Sequence, residues 1–163
     1  MTKRTAILSA GLGSAALAIA GTALATPPVG QTTTVLARGT TGPLHANHDG
    51  VRLMTRHNVS ADIAVATVTF PPGGSSGWHH HPGIVVVVVR SGAVTFYDNH
   101  CRRTVYHVGD TFLEASDTPG LATNHGSEDA VVEATFILPA SIAPAPPTPL
   151  RIDDTAPQGC TAT

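Results

Sequence analysis

The chain has 163 residues, of which 42% are hydrophobic, and a formal net charge of −2. That length fits one domain with a real hydrophobic core. It has nine Lys and Arg, eleven Asp and Glu, and no basic run, so the composition argues against a nucleic-acid or anionic-lipid surface.

The first 25 residues are typical of a cleaved secretory signal peptide. Lys3 and Arg4 precede an apolar stretch rich in small residues, and Ala23-Leu24-Ala25 fits the A-x-A pattern of a signal-peptidase site. An uncleaved membrane anchor is the alternative, because the apolar stretch approaches spanning length. We expect a secreted or periplasmic protein that begins near Thr26 and has no stable membrane association after cleavage.

The only cysteines are Cys101 and Cys160. An even count in an exported chain favours a disulfide, with two free thiols as the alternative. A bridge would close a loop of about 60 residues and stabilise the fold by roughly 4 kcal/mol. It would also tether the Pro-rich tail, residues 139–163, to the domain.

Between these ends, short β-prone segments alternate with turn residues. Residues 26–32 are expected to be a flexible lead-in, and residues 33–138 to form the domain. The predicted strands are 33–38, 51–57, 63–70, 78–81, 84–90, 93–97, 103–108, 111–114, 121–124 and 130–138. No segment has a helical period. About nine or ten short strands at this spacing predict an all-β sandwich or barrel in a single domain.

The run Trp78-His79-His80-His81 carries the main indication of chemistry. Successive strand residues point to opposite faces, so His79 and His81 share one face and His80 points the other way. Two imidazoles placed like this can bind one metal ion. The apolar run Val85–Val89 that follows favours a buried central strand.

At these residues the chain resembles the cupin superfamily, and in particular small exported cupin-domain proteins of undefined activity. The matching positions are Gly73, His79, His81 and Gly92 in the first motif, and Gly109-Asp110, Pro119 and Asn124 in the second. The resemblance covers roughly residues 60–138. It implies a double-stranded β-helix, a jelly-roll barrel with its ligands pointing inward, and by analogy a homodimer formed through strand edges.

The chain departs from the family at two ligand positions. The usual site has three His and one Glu, but Val85 occupies the Glu position and Gly120 a His position. His79 and His81 alone predict weak binding of a divalent metal such as Fe, Mn, Zn, Cu or Ni. The candidates for a third ligand are His125, Glu114 and His107, although strand alternation would turn His125 away unless a bulge intervenes.

These observations leave three functional hypotheses. The first is an exported protein that binds a small molecule, and loosely a metal, in its barrel through His79 and His81, with Trp78 and Val85 as further contacts. The second is a metal-dependent enzyme of the dioxygenase or isomerase type with a non-standard third ligand. The third is a structural or interaction barrel filled by side chains.

Overall fold

A computed structural model describes residues 24–115, 117–140 and 147–160. The predicted signal peptide lies, up to residue 23, outside the described residues. The strands are β1 (Thr32–Pro43), β2 (His45–His48), β3 (Val51–Met54), β4 (Ser60–Phe70), β5 (His79–His80), β6 (Ile84–Ser91), β7 (Ala93–Tyr97), β8 (Arg103–His107), β9 (Thr111–Glu114), β10 (Leu121–Thr123), β11 (Ala130–Pro139) and β12 (Ile152–Asp153). The predicted all-β, single-domain fold is confirmed.

The strands form two layers. One is a five-stranded sheet in the order β1-β4-β11-β6-β9, and the other contains the three-stranded sheet β10-β7-β8. An isolated bridge between His79 and Gly120 connects β5 to the edge of the second layer, and β12 pairs with β5 on its other side. The pair β2–β3 is an exposed hairpin.

The hydrophobic core lies between these layers, and strand alternation supplies it. In β4 and β11 every second residue is buried, as expected for strands with one face on a core. The pentavaline strand follows the same rule, since Val85, Val87 and Val89 are buried while Val88 is 39% exposed. Both faces of β6 were expected to be covered, and its outward face is only partly so.

Two short strands were missed because nothing in their own sequence predicts them. β2 lies between the predicted strands 33–38 and 51–57, and β12 lies in the Pro-rich tail. The predicted strand 51–57 ends at Met54, and a 3-10 turn, Arg56–Asn58, follows it. His57 there has a φ of 53°, which an extended strand cannot accommodate.

The predicted disulfide between Cys101 and Cys160 is present and spans a sequence separation of 59. Cys160 is buried against Trp78 and Leu121, whereas Cys101 is exposed in the β7–β8 loop. The last described residues of the tail are therefore fixed to the second layer. Among the residues described, no helix has the length and apolar character needed to span a membrane.

Candidate metal centre

The histidine-bearing strand ends at the interior of the barrel. His79 and His81 are both about 6% exposed, and their rings meet edge to face with centroids 4.8 Å apart. His80 points the other way and pairs with Asp154, with Nδ1 and Oδ2 2.7 Å apart. The alternation predicted from the sequence therefore holds along this strand.

Glu114, at the end of β9, completes a group of three side chains. Its Oε2 lies 3.5 Å from His81 Nε2 and 3.9 Å from His79 Nε2. One ligand atom from each of the three residues lies within 4.8 Å of the others. Of the three predicted candidates for a third ligand, Glu114 is the one that the structure brings to the histidine pair.

The register of the sheet explains how a carboxylate reaches the site although Val85 holds the family's Glu position. Val85 on β6 lies directly opposite Glu114 on β9 in an antiparallel pair. Residues that face each other in such a pair project to the same side of the sheet. Glu114 on the neighbouring strand therefore places a carboxylate at the same level of the sheet as Val85.

The hydrogen bonds of both imidazoles fix their tautomers. His79 Nδ1–H donates to the Gly77 carbonyl over 2.9 Å, and His81 Nδ1–H donates to the Leu150 carbonyl over 2.5 Å. A carbonyl can only accept, so each Nδ1 carries a proton, and Nε2 is the nitrogen with the lone pair in the neutral form of each ring. In metal sites, a group that accepts from the other ring nitrogen in this way orients the histidine ligand.

The protonation states also suit a cation. Burial lowers the pKa of His79 to about 4, so this imidazole is neutral at neutral pH. Burial alone would raise the pKa of Glu114, but His81, His79 and Arg151 outweigh it, and the pKa lies below its ordinary value. Metal binding requires neutral imidazole and ionised carboxylate. The donor set therefore fits a divalent transition metal, which would be held by His79, His81 and Glu114.

The other vacant family position is filled by an aromatic ring. Gly120 lies opposite His79, and a Cβ added to it would come within 2.4 Å of the Phe96 ring. Phe96 itself packs against Phe112, with ring centroids 5.2 Å apart. A histidine at position 120 has no room here.

Two cavities meet at the three side chains. The inner one, of about 70 Å³, is lined mostly by apolar residues of the core, Val85 among them. A single water needs roughly 10–15 Å³ of such space, so a small molecule of a few atoms fits. The outer cavity, of about 230 Å³, is bounded by Phe96 and Gly120 as well. Both are lined by His79, His81 and Glu114.

Polar groups other than the three candidate ligands also line the inner cavity. Gln31 and Arg151 lie on its wall. Gln31 Oε1 is buried and has no hydrogen-bond partner among the described residues. Arg151 Nη1 donates to the Ser76 carbonyl over 2.7 Å, which places the guanidinium against the histidine-bearing segment.

The remaining predicted site residues lie elsewhere. Trp78 is buried with Leu121 and Cys160 in a second hydrophobic cluster. His125 is not part of the group of three candidate ligands. Its Nε2 lies 2.8 Å from Thr123 Oγ1 and 3.1 Å from the Tyr97 hydroxyl. His107 is exposed on β8.

Sequence reasoning missed the contribution of the tail. Leu150 and Arg151 reach the site, yet no motif marks them, and their partners lie 69 and 75 residues away. For Glu114 a weak signal existed, because alternation along β9 places it on the same side as the buried Phe112.

Comparison with known proteins supports the fold assignment. Residues 66–137 match the model of the cupin domain family. The matched segment is a little under half of the chain, and it agrees with the resemblance drawn from the motifs. No curated protein matches the chain.

Several solved structures are similar in fold. A double-stranded β-helix protein from Klebsiella pneumoniae is 19% identical, with a TM-score of 0.47, and the match covers 69% of this chain and 77% of that one. A cupin domain from Bordetella pertussis is 20% identical, with a TM-score of 0.46, covering 70% and 97%. A predicted oxalate decarboxylase from Thermotoga maritima is 23% identical, with a TM-score of 0.42, covering 49% and 81%.

Proposed function

We propose that this is an exported cupin-domain protein that binds a divalent transition metal through His79, His81 and Glu114 and presents it to a small molecule. The observation that carries the proposal is the convergence of three ligand atoms, from two buried histidines and the half-buried Glu114, within 4.8 Å of one another. Two imidazoles and a carboxylate suit Fe(II), and three protein ligands with an open position also suit Zn²⁺.

The cavities support the small-molecule part of the proposal. Three protein ligands leave coordination positions open, and space borders the group on both sides. The walls are largely apolar with a few polar groups, which is the usual character of a ligand site. The buried Gln31 Oε1 can accept a hydrogen bond from such a ligand.

Catalysis is the second candidate, and the open coordination positions favour it. When bound, the metal would supply Lewis-acid polarisation of an oxygen atom of the small molecule. The carbonyls of Gly77 and Leu150 would hold the two imidazole rings so that Nε2 of each faces the metal. The apolar wall of the inner cavity would exclude bulk water. A dioxygenase or isomerase reaction fits such a site.

Export rests on two observations. The N-terminal segment has the pattern of a signal peptide, and the disulfide is typical of oxidising compartments.

Glu114→Gln tests the metal site, because it removes the charge of the proposed third ligand at nearly constant shape. We expect the affinity for Co²⁺, followed by its visible absorption and by calorimetry, to fall by more than about 100-fold, since loss of an outer-shell partner alone costs about 10–100-fold. Glu128→Gln, which changes an exposed glutamate of the β10–β11 loop, is the matched control. Equal Co²⁺ affinity in Glu114→Gln and wild type would rule Glu114 out as a ligand.

A further inference from the structure

Residues 150–154, which we call the strap, lie along the histidine-bearing strand. In the β12–β5 pair, Ile152 is opposite His80 and Asp153 is opposite His79. The Asp154 N–H donates to the Trp78 carbonyl over 2.9 Å, and the Asp154 carbonyl accepts from the Thr26 N–H over 2.9 Å. The strap thus lies directly beside the histidine-bearing strand.

The two histidines depend on this strap to different degrees. His79 Nδ1–H donates to Gly77, two residues away in its own segment. His81 Nδ1–H donates to Leu150, which belongs to the strap. If the strap leaves, His81 loses the partner that fixes its tautomer, whereas His79 keeps its own.

Apart from the disulfide, the contacts that hold the strap are non-covalent: Leu150 packs against the core, and Asp154 forms backbone bonds with Trp78 and Thr26. Its ladder with β5 is only two residues long, and it lies at the edge of that small sheet. Its side chains add the His80–Asp154 pair and the bond from Arg151 to Ser76. Six residues beyond the strap, the buried Cys160 is joined to Cys101, which is exposed.

We propose that the Cys101–Cys160 disulfide controls metal affinity by holding the strap against His81. A dithiol reductant would transfer two electrons and two protons to the cystine, so that the dithiol becomes a disulfide and Cys101 and Cys160 become thiols. The strap then separates from β5, and His81 turns or changes tautomer. This inference rests on the proposed metal site, which it extends with a form of regulation.

The test compares wild type with Cys101→Ser/Cys160→Ser, since reductants themselves bind metals. We expect Co²⁺ affinity to fall about 10–100-fold in the double variant, as for loss of an outer-shell partner. Loss of amide protection at Ile152–Asp154 by hydrogen exchange should accompany it. Affinity within twofold of wild type in a folded double variant would overturn the proposal.

A readout without metal separates this proposal from the previous one. Imidazole ¹⁵N NMR of the metal-free proteins should show the Nδ1–H tautomer of His81 in wild type and a mixture in the double variant, with His79 unchanged. An unchanged His81 tautomer would overturn the strap proposal even if wild type binds no metal. If wild type binds no Co²⁺ but the His81 tautomer differs between wild type and the double variant, the metal site and the control of its affinity are overturned, whereas the hold of the strap on His81 stands.

A second pair of variants keeps the disulfide in case the double variant does not fold. Ile152 is 40% exposed, so changes there act mainly through the backbone. Ile152→Pro removes an N–H from the strap and cannot donate to a ladder. It should weaken Co²⁺ binding, whereas Ile152→Ala, which keeps the N–H, should match wild type. Equal affinities in the two variants would contradict the proposal.

Discussion

At the scale of single residues, His79 links the site to the stability of the fold. Its pKa is lowered to about 4, chiefly by burial, from an ordinary 6.5. A group with a lowered pKa contributes stability that is complete above the unfolded-state value and is lost as the pH falls towards the folded-state value. For metal-free His79 this window runs from 6.5 down to about 4. Glu114, whose pKa is also lowered, acts in the same direction at lower pH.

The metal-free protein should therefore lose stability on mild acidification. Between pH 7 and pH 5, His79 alone should remove about 2 kcal/mol from the free energy of unfolding, because the unfolded chain takes up the proton and the folded chain does not. Urea unfolding in the presence of a chelator measures this change. In His79→Gln the free energy of unfolding should fall less between pH 7 and pH 5, by that amount. An equal fall in the two proteins would refute the assignment of this pH dependence to His79.

The residues of the candidate site differ in how far their positions depend on their own segment of the sequence. His79 and His81 could be predicted to share a face, because alternation along one strand decides it. Glu114 could be named only as one of three candidates, because its approach depends on the register between β6 and β9. Leu150 could not be predicted at all, since its carbonyl reaches His81 across 69 residues.

At the scale of elements, the contact between β5 and the residue before β10 shows why position 120 supplies no candidate ligand. Gly120 and His79 exchange two backbone hydrogen bonds, of 2.8 and 3.0 Å, so position 120 is held close to the histidine-bearing strand. The space where a side chain would project is occupied by Phe96 of β7. The absence of a side chain at position 120 and the ring at position 96 are therefore complementary.

Gly120→Ala should be destabilising, since the added Cβ meets the Phe96 ring at 2.4 Å. Overpacking of this kind costs about 1–3 kcal/mol. In a Phe96→Ala background the same change should cost little, so a double-mutant cycle of urea unfolding should show clear non-additivity. Additive effects would mean that the two positions do not share this space.

The prediction of strands succeeded where the pattern was intrinsic to the segment. β7 (Ala93–Tyr97) and β9 (Thr111–Glu114) have the predicted bounds, and β4 and β11 differ from prediction only at their ends. β12 was missed because the proline-rich surroundings favour irregular chain, and only tertiary pairing with His79 and His80 makes it a strand.

At the scale of the whole molecule, the disulfide connects the tail to the rest of the domain. The bridge ties the tail to the β7–β8 loop, and the tail in turn contacts Thr26 and His81 of the candidate metal centre. The cysteine count predicted the bond, but no sequence pattern indicated that the bonded tail would line a cavity. The small-molecule partner, export and a homodimer stay predictions.

Removal of the bridge should also lower global stability. A closed loop with a sequence separation of 59 corresponds to roughly 4 kcal/mol in the chain-entropy model. Urea unfolding of metal-free Cys101→Ser/Cys160→Ser against wild type measures this loss at neutral pH. A change below about 1 kcal/mol would indicate that the unfolded chain is not appreciably constrained by the bridge.

The central claim is that His79, His81 and Glu114 bind a metal ion, and elemental mass spectrometry tests it most directly. The exported protein would be purified without a histidine tag, beside His79→Ala/His81→Ala. We expect near-stoichiometric iron, manganese, zinc, copper or nickel in wild type and none of it in the double variant. Wild type that contains no metal, even after incubation with these ions, would contradict the claim and leave a cupin barrel without a metal centre.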